Sequence, residues 1–387
     1  MEKSIHILII GANYYGTMAT AQRLRNLFNP LLKKDNIFVS NLLFNSTEVP
    51  EDNEIKEVHF VNVRYSKRNP VDFILYHWNS FKYIKQQKKR DCNNILFCYG
   101  YPIINNILIL KYAKYKDYKI VFNIEENFLL HTLRKKTIFE LLKRYSLKYL
   151  LGQIPRLGSL CFAISSQLME YCNSICSGKI PVVELPVSVD IDYVQSFKKD
   201  IKKEKIQVFY GGSFGEKDGI PFLIEGFSQA CKKANNLELI LTGKIATGLE
   251  KQVFDQINSS EEKDKIKYLG CLTTEKYYET MANADILCML RVNTEFANAG
   301  FPFKLCEYLA SGNVIIATKT SDVTRYIDST EKICLVDAED TRAITTVILE
   351  LAQRKNITEN NVSLNIAKKY FDSELVANML YKNILRL

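Results

Sequence analysis

The chain has 387 residues, 47% hydrophobic and 25% charged, with a formal net charge of +9. This is globular composition with enough length for two hydrophobic cores, and it excludes a disordered chain. No apolar run reaches the roughly 18 to 20 residues of a membrane span, and the stretch Met1 to His6 enters an apolar strand without signal-peptide architecture, so the expected location is the cytoplasm. The ten cysteines are scattered through apolar runs, and Cys172 and Cys176 lack zinc-ribbon spacing. The four histidines, His6, His59, His77 and His131, all lie in the N-terminal half, so buried reduced thiols and no metal are expected. The positive charge suits an anionic partner, a nucleotide or a lipid surface. No nucleic-acid motif accompanies it.

Ile5 to Ile10 reads as a buried strand running into Gly11-Ala-Asn-Tyr-Tyr-Gly16 and an amphipathic segment from Thr17 to Phe28. A strand, a glycine-bearing turn and a helix begin a Rossmann-like half, but the spacing is not G-x-G-x-x-G, so a dinucleotide fingerprint is absent. Gly11, Tyr15 and Gly16 form a candidate ligand loop. Strands follow at Ile37 to Leu43, Glu57 to Val63, Asn94 to Cys98 and Lys119 to Ile124, separated by helical segments at Val71 to Gln87 and Asn105 to Tyr115. This alternation predicts a parallel, doubly wound sheet with its site at the strands' C-terminal ends.

Those ends include Tyr99-Gly-Tyr-Pro102 and Asn123-Ile-Glu-Glu-Asn127. Glu125 and Glu126 there are candidates for acceptor ligand or base; a helix N-terminal charge pair is the other reading. Leu130 to Leu151 is a basic amphipathic segment that suits either an anionic membrane surface or packing on its own sheet. Cys161 to Ser165 is a further strand. Pro181 to Asp190 reads as an extended linker with two prolines, and Asp190-Ile-Asp192 as a helix N-cap, not a metal motif.

After the linker the βα alternation restarts. Gln207 to Tyr210 leads into the glycine-rich loop Gly211-Gly-Ser-Phe-Gly-Glu-Lys-Asp-Gly219 and a helix from Pro221 to Ala234. Leu237 to Leu241 leads to Thr242-Gly-Lys244, Ile266 to Gly270 follows, and Thr274 to Ala284 is helical. Asp285 to Leu290 feeds Asn298-Ala-Gly-Phe-Pro-Phe-Lys-Leu-Cys-Glu-Tyr-Leu-Ala-Ser-Gly312, a loop and helix that end on the strand Val314 to Thr318. Ile333 to Val336 closes the sheet. Helices at Ala343 to Ala352, Val362 to Tyr370 and Ser373 to Ile384 complete the chain. Glycines ahead of Lys217, and a helix N-terminus behind Gly300, suit phosphate.

The ordered set Tyr210 to Gly219, Leu223 to Phe227, Leu239 to Gly243, Tyr268 to Gly270, Tyr277 to Asp285 and Gly300 to Gly312 resembles the nucleotide-binding half of GT-B glycosyltransferases, particularly retaining family 4 (glycosyl transferases group 1). The resemblance is strong over residues 205 to 340 and weaker over the first half. It implies a GT-B fold: two Rossmann-like domains facing each other across a cleft. They are an acceptor domain over 1–185 and a nucleotide-sugar domain over 186–365, with a C-terminal helix over 366–387 packing back on the first.

In that family a Glu-x7-Glu pair brackets the donor, and the second glutamate binds the ribose; Glu307 matches it, while Ala299 stands at the first position. Backbone N–H groups after the first glutamate hold donor phosphate. Pro302 has none, which leaves Gly300, Phe301 and Phe303. Lys217 matches the family's clamp lysine. Gly212 or Ser213 replaces its arginine; Lys304, near the start of the pocket helix, either restores that charge or faces solvent. Gly243 completes the implied donor set. On the acceptor side the family's histidine is absent, leaving Glu126 with Glu125 as substitute.

The expected activity is metal-independent and needs no cofactor. It transfers a hexose-type sugar from a nucleotide-diphosphate sugar to a glycan or lipid-linked glycan with retention, in bacterial lipopolysaccharide or capsule synthesis, with peripheral contact to anionic membrane through Leu130–Leu151. A nucleotide-sugar epimerase or phosphorylase of the same fold, and a catalytically degenerate binding subunit, are the alternatives.

Overall fold

The computed structural model describes residues 4–15, 19–44, 58–63, 70–127, 129–130, 138–198, 204–353 and 361–387. The chain divides into two compact units, Met1–Val187 with Ser373–Leu387, and Ser188–Asp372.

The first unit carries a seven-stranded sheet in the order β3-β2-β1-β4-β5-β6-β7. Its elements are β1 (Ser4–Ile10), α1 (Ala19–Leu32), β2 (Ile37–Phe44), β3 (Val58–Val63), α2 (Pro70–Gln87), β4 (Cys92–Tyr99), α3 (Ile107–Tyr115), β5 (Lys119–Ile124), α4 (Ile138–Leu151), α5 (Ile154–Leu157), β6 (Leu160–Ala163), α6 (Ser166–Cys176) and β7 (Val182–Glu184). All the named pairings in this sheet are parallel, with Ile9 opposite Asn41 and Phe97. Strands covered on both faces need continuous apolar sequence, which explains why Ile5 and Ile7 to Ile10 are all buried.

β7 corrects the reading of Pro181 to Asp190 as linker throughout. Cys161 to Ala163 pair with Val182 to Glu184. The β-branched Val182-Val183 suits a strand, and Pro181 and Pro186 bracket that edge strand without interrupting its ladder. Asp190 caps α7 (Ile191–Gln195), its side chain accepting from the Tyr193 N–H at 3.0 Å.

The second unit carries a six-stranded sheet in the order β10-β9-β8-β11-β12-β13. Here β8 (Ile206–Gly211), α8 (Ile220–Cys231), β9 (Leu237–Thr242), α9 (Glu250–Ser259), β10 (Ile266–Tyr268), α10 (Thr274–Ala282), β11 (Ile286–Met289), α11 (Glu295–Ala299), α12 (Phe303–Ser311), β12 (Val314–Thr318), α13 (Val323–Tyr326), β13 (Ile333–Val336), α14 (Thr341–Gln353) and α15 (Asn361–Ile366) follow in order. α15 continues into a π-type turn at Ala367–Phe371, so Val362 to Tyr370 is not one regular helix. α16 (Ser373–Ile384) belongs to the first unit, where Val376, Leu380 and Ile384 share a core with Leu24, Leu27 and Phe28 of α1.

The strand order in both sheets reverses beside the first strand of each unit, between β1 and β4 and between β8 and β11. In doubly wound sheets the crevice at that reversal is where ligands sit.

Candidate functional site

In the second unit, three loops converge at the C-terminal ends of β8, β9 and β10. The Gly212 N–H donates to the Thr242 carbonyl at 3.0 Å, and the Gly243 N–H to the Gly270 carbonyl at 2.8 Å. Gly243 has φ +132°, and a Cβ there would lie 1.7 Å from the Gly212 oxygen, so only glycine lets the two loops touch. The Tyr268 hydroxyl donates to the Gly243 carbonyl at 2.7 Å and braces the same junction.

α12 points its N-terminus into this region. Pro302 is its N-cap residue and Phe303 and Lys304 open its first turn, the end that carries the positive dipole. Gly312, at φ +72°, stops it in a left-handed cap. The Tyr308 hydroxyl, one turn further in, accepts from the Gly211 N–H at 3.0 Å and ties helix to strand.

The Lys304 ammonium lies against Gly212 at the head of α12. Its side chain is only 14% exposed. Nζ lies 2.8 Å from where a Gly212 Cβ would stand, donates to the Tyr210 hydroxyl, and pairs with Asp218 Oδ1 at 3.4 Å. Asp218 also accepts from the Ser213 hydroxyl and the Gly215 N–H, both at 3.0 Å. Burial pushes the Asp218 carboxyl up, but Lys304, Arg291 and those donors together hold it below its ordinary value. Burial lowers the Lys304 pKa, and Asp218 offsets this in part. The Lys217 ammonium lies 5.3 Å above the Phe296 ring of α11.

Arg291 was not singled out by the sequence. It sits just past β11, with Nη1 donating to the Ala297 carbonyl at 3.0 Å and the Gly300 carbonyl at 3.3 Å. The Ser321 hydroxyl donates to the same Gly300 oxygen, and the Ser321 N–H to Asn298 Oδ1 at 2.9 Å. Together they hold the chain between α11 and α12 in place. Ala299 is buried within α11, and Phe301 packs its ring 5.4 Å from Phe371 and 5.6 Å from Tyr326, so Phe301 offers backbone and not its ring.

Glu307 is half-buried in α12, and its carboxylate accepts from the Tyr277 hydroxyl at 3.0 Å and the Tyr278 hydroxyl at 2.7 Å. Burial raises its pKa, against the pull of the two hydroxyls. The Tyr277 ring lies over Gly211, where a Cβ would come within 2.4 Å of it. Gly212, Ser213, Gly243, Lys304 and Glu307 are thus joined by short contacts around β8 and α12, while Lys217, Gly300, Phe301 and Phe303 flank them on the α11 side.

In the first unit the Asn41 amide organises the loop after β1. It accepts from the Tyr14 N–H at 2.8 Å and donates to the Ile9 and Ala12 carbonyls. Gly11, at φ +91°, lies so close to β4 that a Cβ would meet the Tyr99 oxygen at 2.5 Å. The Tyr15 ring packs edge-on to Phe60, and its N–H donates to Asn13. Gly16 lies outside the described residues.

Glu125 is engaged within its own unit. Its carboxylate pairs with the buried Arg23 Nε at 2.5 Å and accepts from the Tyr99 hydroxyl and from Asn123 Nδ2 at 2.9 Å. Burial raises its pKa, and Arg23 is the largest influence opposing that rise. Arg23 also donates to the Leu185 and Pro186 carbonyls at 3.0 and 2.9 Å. Glu126, partly buried like Glu125, lies beside Tyr101, whose phenol it helps push up after burial. Of Leu130–Leu151, residues 131–137 are outside the description; Leu147, Leu150 and Leu151 are buried, whereas Leu142, Tyr145 and Tyr149 are exposed.

Among the described residues no cluster of three His, Cys, Asp or Glu side chains could hold a metal ion, and no helix is long and apolar enough to cross a membrane. All ten cysteines are free thiols, Cys271 exposed and most others buried.

Comparison with known proteins gives this geometry its setting. Residues 194–369 match the family described as Glycosyl transferases group 1. A phosphatidyl-myo-inositol mannosyltransferase of Mycobacterium leprae is 22% identical over 204 residues, 52% of each protein; the chain thus matches about half the length of that relative. Among solved structures, Anabaena HepE in complex with UDP and glucose matches with TM-score 0.69 and 12% identity over 100% of both chains. A glycosyltransferase from Rickettsia africae matches with TM-score 0.70 and 16% identity over 100% and 99%. The trehalose-6-phosphate synthase OtsA matches with TM-score 0.72 and 9% identity over 99% of both. The fold is GT-B.

Proposed function

With residues 194–369 a glycosyl transferases group 1 domain on a GT-B fold, we propose that the protein transfers a hexose from a nucleoside-diphosphate sugar to a glycan or lipid-linked glycan, with retention, in the building of a bacterial surface polysaccharide such as lipopolysaccharide or capsule. The observation that carries this reading is the meeting of the Gly212 and Gly243 backbones with the N-terminus of α12, Lys304 and Glu307.

In the reaction the bond from the sugar's anomeric carbon to the β-phosphate oxygen breaks, and a bond from the acceptor oxygen to that carbon forms. Charge accumulates on the leaving diphosphate. The N–H groups of Gly300, Phe301 and Phe303, the α12 dipole, Lys304 and Lys217 are placed to stabilise it. Lys217, Lys304 and Arg291 against Asp218 leave an excess of positive charge around this end of the sheet. Glu307 accepts from the ribose hydroxyls, exchanging one or both tyrosine donors for them. With Ala299 at the position of the first glutamate, the sugar ring is held by groups other than a carboxylate there. On the acceptor side Glu126 is the candidate base, with Glu125 paired to Arg23. The basic segment Leu130–Leu151 suits work at the inner face of the cell membrane.

UDP is the first nucleotide to test, since UDP is bound in the Anabaena relative; GDP is the second. A thermal-shift screen of nucleoside diphosphates should raise the melting temperature for one base, and the matching sugar donor should be consumed when acceptor glycolipid is supplied. Conversion of donor without acceptor would favour an epimerase, and no response to any nucleotide would sink the reading.

A further inference from the structure

The first unit exposes apolar side chains in an ordered way. β3→β4, β4→β5 and β5→β6 all cross in one direction along the sheet. Right-handed crossovers therefore lay α2, α3 and α4 on the same face. The inner side of α2 is closed by Tyr76, Ser80, Tyr83 and Ile84, all buried. Its opposite side carries Val71, Ile74, Leu75 and Trp78, spaced i, i+3, i+4 and i+7, with Ile74 67% and Trp78 68% exposed. α4 repeats the pattern with Leu142, Tyr145 and Tyr149 at i, i+3 and i+7, and Tyr145 is 71% exposed. Helix outer faces in a globular protein are ordinarily polar, so two apolar stripes in one layer mark an interaction surface.

The charge around the stripes identifies the occupant. Helices α2, α3 and α4 together contain seven lysines and arginines (Lys82, Lys85, Lys111, Lys114, Lys143, Arg144, Lys148) against two acids, Asp72 and Glu140. Over the whole chain the ratio is 52 to 43. Exposed Lys82 and Lys85 continue the α2 stripe one and two turns beyond Trp78, and exposed Lys148 borders Tyr145 and Tyr149. Apolar residues with Trp and Tyr at the boundary and lysines beside them match the depth profile of an anionic lipid surface: acyl chains, interface, headgroups.

We propose that this face of the first unit docks on an anionic membrane, with Trp78 and its α2 neighbours inserted at the interface and α4 as the second contact. The proposal deepens the membrane-facing part of the function above: it moves the main anchor from Leu130–Leu151 to α2. Docking of this layer sets how the unit that carries Gly11, Tyr99 and Glu126 meets a lipid-borne acceptor.

Trp78 is the only tryptophan in the chain, so native fluorescence reads this surface alone. The full chain is mixed with vesicles of phosphatidylglycerol and phosphatidylcholine, and with phosphatidylcholine vesicles as control. The emission should shift to the blue and be quenched by brominated acyl chains on the anionic vesicles, with the response weakened by salt. Replacing Ile74 and Leu75 together by serine, both being exposed, should leave the fold intact by circular dichroism and lower the partition coefficient about tenfold or more.

Sedimentation with vesicles without a Trp78 response would overturn the proposal by placing the contact elsewhere. Absence of sedimentation, an undiminished double variant, or a lipid-independent shift that grows with protein concentration and marks self-association would overturn it too. A nucleoside-diphosphate thermal shift on the same sample reads the donor pocket separately. Docking without that shift leaves the surface standing and defeats the transferase reading.

Discussion

Lys304 links the stability of the second unit to its proposed ligand, and the Lys304→Met substitution separates the two. In the folded chain its ammonium pairs with Asp218, whose side chain is 3% exposed. Removing one partner of a buried ion pair costs about 3–5 kcal/mol, because the other charge stays buried and uncompensated. The 3.4 Å separation and the donors from Ser213 and Gly215, which remain, put the expected loss near the lower end, about 3 kcal/mol. A contact from Lys304 to a diphosphate is a charge-assisted hydrogen bond, worth about 1.5–3 kcal/mol, or roughly tenfold to 150-fold in Kd. The companion variant Asp218→Asn/Lys304→Met removes the orphaned charge. Urea unfolding should show most of the lost stability returning in the double variant, while calorimetry with UDP or GDP shows affinity still low. If affinity returned with stability, Lys304 would be a structural cation and not a phosphate ligand. If folded Lys304→Met bound as wild type, the reasoning would fail outright.

Three further outcomes concern the first unit. Glu125→Ala leaves the buried Arg23 without its carboxylate and should lower stability by about 3–5 kcal/mol in urea unfolding. Glu126→Ala should spare stability and reduce kcat; the opposite pattern would return the acceptor role to Glu125. His6 is fully buried between Ser40 and Asn94, and burial holds its pKa down at about 4 against an ordinary 6.5. The unfolded state therefore takes the proton first: stability is full above pH 6.5 and falls as pH drops from 6.5 toward 4. The loss should total about 3 kcal/mol. His6→Gln should flatten that limb of the stability–pH curve, and an unchanged limb would place the titration elsewhere.

The loop and helix positions of the β8–α12 crevice were legible in the sequence because each is set locally. Gly211-Gly212, Gly243 and Pro302 sit where strand ends and a helix start demand them, and each can be read without knowing its neighbours in space. Asp190 was readable as an N-cap for the same reason. What stayed hidden depends on long-range contact. Tyr277 and Tyr278 meet Glu307 from a helix about thirty residues earlier. Glu125 looked available beside Glu126, since its partner Arg23 lies on α1, far away in the chain. The α2 stripe had helical spacing in plain view, but spacing alone does not tell an apolar face that is covered from one left bare.

In the proposed function the β8–α12 crevice binds a nucleoside diphosphate through Glu307. Calorimetric titration of the wild type and Glu307→Ala with UDP and GDP tests it most directly. The wild type should bind one nucleotide saturably and the variant should not, with the fold retained. Because burial raises the Glu307 pKa, wild-type affinity should also fall on acidification at a pH above the ordinary glutamate range. Equal affinity in the two proteins, or no binding by either, would contradict it.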